Sequence, residues 1–317
     1  MARSTADAPE APPLARREPR PYRVERVQPE WALEHEEMGS KTKFWYRRPN
    51  GRFLWLFKYP HPDTGEHWAE RAVAEVAQVL GIPHAVTKLA VCNGERGSIS
   101  KSFVRTREQL FHGNQEMAGA LDWYDPARRF RQSQHTLANI FHTLDTNFLE
   151  LEGRQSARSR IAEYLVLDAL IGNTDWHHEN WGVLLRQGEG ILLGEIAPSF
   201  DHASSLGREL RDHGEGRTLE RILAEHRIGA YSERARGAIF WSVDEIRAPN
   251  PLELVRRASH EFPDDFMGAL RRLQDVQASQ LSTCIERVPP SWISRLASEF
   301  AIELMSYNLC EMRKLMR

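Results

Sequence analysis

The sequence predicts an α+β chain of two unequal lobes, a small sheet-rich one followed by a larger, mostly helical one. Three observations carry this. At 317 residues the chain is long for one hydrophobic core, since single cores stop growing near ~250–300 residues. Up to about residue 104, short aromatic and β-branched runs alternate with turn residues. After Phe111, apolar residues recur at helical intervals over long stretches. The expected boundaries are a flexible arm over residues 1–30, a β-rich lobe over 31–104 and a helical lobe over 105–317.

The arm holds six prolines among Arg and Glu, with almost no apolar periodicity, so burial cannot offset its ordering entropy. An extended strap over the surface is the other reading of such a composition. Lys43 to Tyr46 and Phe53 to Lys58 are β-prone, and Arg48-Pro49-Asn50-Gly51 between them is a hairpin turn. Glu66 to Leu80 carries Trp68, Ala72, Val73, Val76, Ala77 and Leu80 at helical spacing, and Gly81-Ile82-Pro83 stops it. Two apolar runs, Ala85 to Cys92 and Ser98 to Val104, flank an expected turn at Gly94-Glu95-Arg96-Gly97. Further helices are expected over Ser133 to Leu149, Ser156 to Ile171, Arg217 to Arg227, Pro251 to His260, Phe266 to Glu286 and Ser291 to Met316.

A net charge of −2 gives no overall pull toward nucleic acid or an anionic membrane, although the arginine-rich stretch Arg217 to Arg236 is a local basic patch. No direct nucleic-acid partner is expected. The three cysteines, Cys92, Cys284 and Cys310, lie far apart in sequence, which fits a reduced, cytoplasmic setting. No stretch approaches the ~20 apolar residues of a spanning helix, so no membrane partner is expected.

The chemistry concentrates in Ile171-Gly172-Asn173-Thr174-Asp175-Trp176-His177-His178-Glu179-Asn180-Trp181-Gly182. A carboxylate, Asp175, and an amide, Asn180, stand in a polar loop clamped between an apolar helix and the apolar strand Trp181 to Leu185. Asp201 follows the hydrophobic run Ile191 to Phe200. Hard oxygen donors in that order suit magnesium and phosphoryl transfer. Such a site also needs a cation on the nucleotide phosphates. Lys58, at the end of a strand, is the candidate, with Glu70 on the following helix to hold it. Taken singly, each has an ordinary role: a solvated lysine, an exposed glutamate, turn-forming Asn and Asp. Jointly, the order Lys, Glu, Asp, Asn, Asp is far less common. His177 and His178 point differently along the chain and lack a third ligand at zinc spacing, so His177 is expected to brace the loop through hydrogen bonds.

At these residues the sequence resembles the HipA-like serine/threonine kinases, whose loop reads Asn-x-Asp-x-His-x-x-Asn, here Asn173, Asp175, His177 and Asn180. Gly39-Ser40-Lys41-Thr42-Lys43 resembles the family's phosphate-binding loop, Leu56-Phe57-Lys58 its lysine strand and Ala197-Pro198-Ser199-Phe200-Asp201 its metal-binding segment. Ile99 to Val104 resembles the hinge between the lobes. The resemblance implies a bilobal protein-kinase-like fold that binds ATP and Mg2+ and phosphorylates a protein or peptide. It implies Asp175 as catalytic base, with Lys58 and Glu70 completing the catalytic set, and Asn180 and Asp201 as metal ligands. Ser40, Lys43, Lys58, Phe103, Val104 and His177 would meet the nucleotide. Two departures stand out. The first lobe lacks the extra subdomain by which longer members contact an antitoxin, so such a partner is not expected. Glu179 stands where many members carry a lysine. The loop is also similar to that of type II phosphatidylinositol 4-kinases, which keeps a lipid or small-molecule acceptor as an alternative. A nucleotide-binding scaffold without transfer is a further one, against which the intact Lys58, Asp175, Asn180 and Asp201 set speaks.

Overall fold

The computed structural model describes residues 19–36, 42–187 and 192–316. Six strands form the sheet of the first lobe: β1 (Val24–Val27), β2 (Ala32–Glu36), β3 (Lys43–Arg47), β4 (Leu54–Lys58), β5 (Thr87–Cys92) and β6 (Glu95–Lys101). Their order is β1-β5-β6-β4-β3-β2, antiparallel except for the parallel pair β1 and β5. One helix, α1 (Glu66–Val79), crosses between β4 and β5. Its apolar stripe, Trp68, Ala69, Ala72, Val73, Val76 and Ala77, is buried, as amphipathic spacing requires. Phe44, Tyr46, Phe57, Ala90 and Ile99 close a small separate core on the other side of the sheet.

Two sequence expectations for this lobe change. Residues 24–27, expected in the arm, form a strand, and Tyr22 is buried, because the partner that offsets their ordering is distant. The Tyr22 hydroxyl donates to the Cys284 carbonyl at 2.8 Å, and its ring lies under the guanidinium groups of Arg71 and Arg287 at 3.9 and 4.6 Å. The turn expected at residues 94–97 is tighter: Cys92 already pairs with Glu95, and Asn93 and Gly94 alone make the bend at φ of 51° and 81°. Positive φ at both central residues is the hairpin geometry that matches strand twist, and Asn-Gly is its preferred pair.

The second lobe begins with β7 (Glu108–His112) and α2 (Gly113–Ala120), followed by α3 (Leu137–Asn147) and α4 (Leu151–Ile171). Then β8 (Gly182–Gln187) and β9 (Leu192–Ile196) join β7 in an antiparallel three-stranded sheet ordered β7-β8-β9. The remaining helices are α5 (Leu219–Ala224), α6 (Ile228–Arg234), α7 (Pro251–Glu261), α8 (Pro263–Asp275), α9 (Ala278–Glu286) and α10 (Arg295–Lys314). The single helix expected over Phe266 to Glu286 is thus two. Val276 is extended between them, and Arg313 of α10 donates to the carbonyls of Leu273, Gln274 and Val276, which frees α8 to end there. Helix α2 was not expected because its cap is His112, whose backbone N–H donates to Gln115 Oε1 at 2.9 Å, rather than a Ser, Thr, Asp or Asn.

The main core is built on α4, which is buried on every side from Ile161 to Ile171. Among the described residues no helix is long and apolar enough to cross a membrane. Gly172 ends α4 in the left-handed region at φ 65°, and its N–H bonds to the Asp168 carbonyl. A side chain there would adopt a conformation costing roughly 1–2 kcal/mol, and its Cβ would meet Leu304 at 3.2 Å. Gly172→Ala is therefore expected to lower the unfolding free energy by about 1–2 kcal/mol, measured by urea denaturation.

Candidate active site between the lobes

The polar loop leaves α4 through a buried anchor. Asn173 donates twice to Asp168: its backbone N–H reaches the Asp168 carbonyl and its side-chain amide donates to Asp168 Oδ1, each at 2.9 Å. The Asn173 Oδ1 then accepts the Asp175 N–H at 3.1 Å, a local turn that fixes where the Asp175 side chain starts. Trp176 and Trp181 are buried and stacked at 6.1 Å, and Trp181 Nε1 donates to His135 Nε2 at 3.2 Å, so the loop is pinned at both ends. Within it the Asn180 amide N–H donates to the Asp175 carbonyl at 2.7 Å. That bond settles which end of the amide is nitrogen and leaves its Oδ1 as an oxygen donor.

From the other side comes Asp201, at φ 59°. A non-glycine residue held in that region is uncommon and marks a position over-determined by its surroundings. Here Phe200 packs on Phe103 at 5.5 Å and on His112 at 6.1 Å, while Ser199 bonds through its backbone to Pro83 and Ala85 of the first lobe. Asp201 Oδ1 meets Lys58 Nζ at 3.1 Å. Burial alone would lower the Lys58 ammonium, but the charges of Asp201, Glu70 and Glu66 outweigh it and raise it above the ordinary lysine value. The ion pair of Lys58 among the described residues thus goes to Asp201 and not, as expected, to Glu70. Glu70 is buried nearby, with its Oε2 lacking a hydrogen bond. Lys43 stands directly across the sheet from Lys58, on the same face. Phe103 and Val104 link the two sheets, and among the described residues their backbone groups bond to no other group. Ser40 lies outside the described residues.

Sequence reasoning missed a chain of contacts that ties Asp175 to the first lobe. Ser204 Oγ donates to Asp175 Oδ2 at 3.3 Å and accepts from Arg208 Nη2 at 3.1 Å. A guanidinium only donates, so the serine hydroxyl keeps its own proton for Asp175. Arg208 Nη1 pairs at 2.9 Å with the buried Glu66 at the start of α1, and the Arg208 carbonyl accepts the Gly65 N–H at 2.8 Å. No spacing rule links Glu66, Arg208 and Ser204. Asp168 was legible in principle, since a lone charge inside the apolar run Tyr164 to Ile171 signals a buried partner. Burial raises the Asp168 carboxyl above the usual range, and His202 Nδ1 stands 3.8 Å away, near enough for attraction but too far for a hydrogen bond.

Glu179, the departure from the family pattern, faces Arg129 at 3.3 Å. Arg129 Nη2 also lies 3.3 Å from His177 Nε2, and the Glu179 backbone N–H donates to His177 Nδ1 at 3.2 Å. The lysine absent from position 179 is thus answered by an arginine from the loop between α2 and α3. His177 is indeed set into the loop wall; burial lowers its pKa, and the charges of both Asp175 and Asp201 reach it. His178 turns the other way, with its Nδ1 2.6 Å from the Tyr124 hydroxyl.

A hard-oxygen set, the Asn180 amide oxygen and the Asp201 carboxylate, suits magnesium, and Lys58 with the free Glu70 oxygen suits a phosphate-facing ammonium. The residues present fit both groups.

Burial pushes His67 and His178 down to about 4 and His135 down to about 3, from the ordinary 6.5. Between those values and 6.5 the unfolded chain binds more protons than the folded one. The contribution of these three histidines to stability is therefore fully present above pH 6.5 and is lost as the pH falls from 6.5 toward 4, which denaturation midpoints measured across that window will read.

No curated protein matches the sequence. A solved structure, the Helicobacter pylori proinflammatory kinase CtkA, superposes with a TM-score of 0.72 at 17% identity, covering 90% of this chain and 94% of that one. HipA of Shewanella oneidensis MR-1, solved with HipB and operator DNA, gives 0.54 at 12% identity over 89% of this chain and 65% of that one. These likenesses show the bilobal kinase fold. The model of the HipA-like C-terminal domain matches residues 27–261, and the chain belongs to that family.

Proposed function

We propose that the chain is a kinase that transfers the terminal phosphoryl group of ATP, with magnesium, to a Ser or Thr hydroxyl of a protein or peptide. One observation carries the reading: the first lobe's Lys58 is paired across the cleft with Asp201, beside a loop in which Asp175 and Asn180 share a hydrogen bond. The name of the similar Helicobacter pylori kinase supports it.

In this reading Asp175 accepts or orients the proton of the acceptor hydroxyl, a role worth roughly 10²- to 10⁴-fold in rate. Ser204 holds one carboxylate oxygen of Asp175, which leaves the other for the acceptor. Asn180 and Asp201 would hold magnesium, which when bound neutralises charge on the phosphates. Lys58 and Lys43 would face those phosphates, and the backbones of Phe103 and Val104 the adenine. Arg129 offsets the charge of Glu179 at the rim of the loop.

Labelled ATP, magnesium, a protein lysate and lipid vesicles, offered in parallel, test the reading. Labelled protein is expected, lost about 10²- to 10⁴-fold in Asp175→Asn and abolished in Asp201→Asn. Label on vesicles alone would move the acceptor to a lipid, and no label with wild type anywhere refutes transfer. Ser204→Ala is expected to lower kcat by about tenfold, the weight of one hydrogen bond, with KM for ATP unchanged and Ser204→Thr restoring the rate. A rise in KM with kcat intact would instead make Ser204 part of nucleotide binding.

A further inference from the structure

Arg217, Arg221, Arg227 and Arg234 line one surface cavity of about 120 Å³ on the second lobe, formed by α5, the turn after it and α6. The sequence singles out this stretch as basic, and the site between the lobes makes no use of it. Ile222, Ala230 and Tyr231 supply the apolar part of the wall. Glu225 is the one carboxylate in the lining, and it is already paired with Arg227 at 3.0 Å. Arg221 Nη1 is held by the Gly216 carbonyl at 3.0 Å. Arg217 and Arg234 have neither a hydrogen bond nor an ion pair among the described residues.

Four guanidinium groups around one carboxylate make a local excess of positive charge in a chain whose net charge is −2, so composition does not account for it. Like charges gathered at one cavity repel, and a dianion among them turns that repulsion into attraction. Guanidinium forks match the oxygens of a phosphate group and bond them in pairs. The volume is well below the ~300–1,000 Å³ of pockets that enclose whole small molecules, which favours a single oxyanion group over a nucleotide.

We propose that this cavity binds a phosphate monoester group, carried on a polypeptide or free. The site is separate from the nucleotide cleft and does not depend on the kinase reading. It does touch the same segment: the Tyr231 hydroxyl in its wall donates to Glu209 Oε1 at 2.8 Å, one residue from the Arg208 that fixes Ser204. A phosphate at the cavity therefore borders the segment that holds Asp175.

The test titrates the full chain with a short fluorescent peptide bearing one phosphoserine, with its unphosphorylated twin, and with inorganic phosphate as competitor, all at constant ionic strength. The phosphopeptide is expected to bind at least tenfold tighter than its twin. Arg217→Gln with Arg234→Gln should weaken it at least tenfold. Arg186→Gln with Arg271→Gln makes the same charge change on exposed arginines outside the cavity and should leave binding unchanged; circular dichroism checks that both double variants fold. Competition by inorganic phosphate would mean that the free anion is itself a ligand, whereas its failure at large excess would assign the site to peptide-borne phosphate; either supports the proposal. Equal binding of the two peptides, or equal losses in the two double variants, overturns it. So does loss of binding in Lys58→Met, which would put the peptide in the cleft.

Discussion

The arrangement at the C-terminal end of α4 is the constraint on which the rest of the site depends. Asp168 is buried in the main core, and it receives the backbone and side chain of Asn173 while facing His202. Two loops that are distant in sequence are thereby fixed to one helix end. Backbone bonds from Leu206 to Ile171 and from Thr174 to Ser204 complete the joint. A buried polar group without partners is costly, so this cluster has few alternative arrangements. Asp175 and Asp201 inherit that rigidity.

Across the cleft the two lobes meet through charge. Lys58 brings a cation from the sheet to Asp201, and Glu66 brings a carboxylate from α1 to Arg208. Arg208 then passes the contact through Ser204 to Asp175. The position of α1 is therefore coupled to the hydrogen bond on Asp175. That helix is braced from behind as well. Arg287 of the turn after α9 pairs with Glu75, and Tyr22 lies under Arg71 and Arg287, so the strand-bearing N-terminal segment and the C-terminal helices grip α1 together. The Arg129 and Glu179 pair is a local version of the same logic, in which a charge absent at one position is supplied from another element.

The sequence by itself determined the two-lobe order and most elements, and it singled out the residues proposed to carry the chemistry. Period-two and helical spacing are local properties, and the loop from Asn173 to Asn180 carries its turn chemistry within eight residues. Elements whose partners lie far along the chain were not legible. The strand at Val24–Val27 needs β5, and the break between α8 and α9 needs Arg313. Cap chemistry hid α2, because its N-cap is His112 and not a serine or aspartate. Only the tertiary structure decided which carboxylate Lys58 meets, that Ser204 and Arg208 reach Asp175, and that four arginines from α5, α6 and their flanking turns share one cavity. Those outcomes depend on distances between segments that no local pattern encodes, since burial and charge act on whatever the fold brings together.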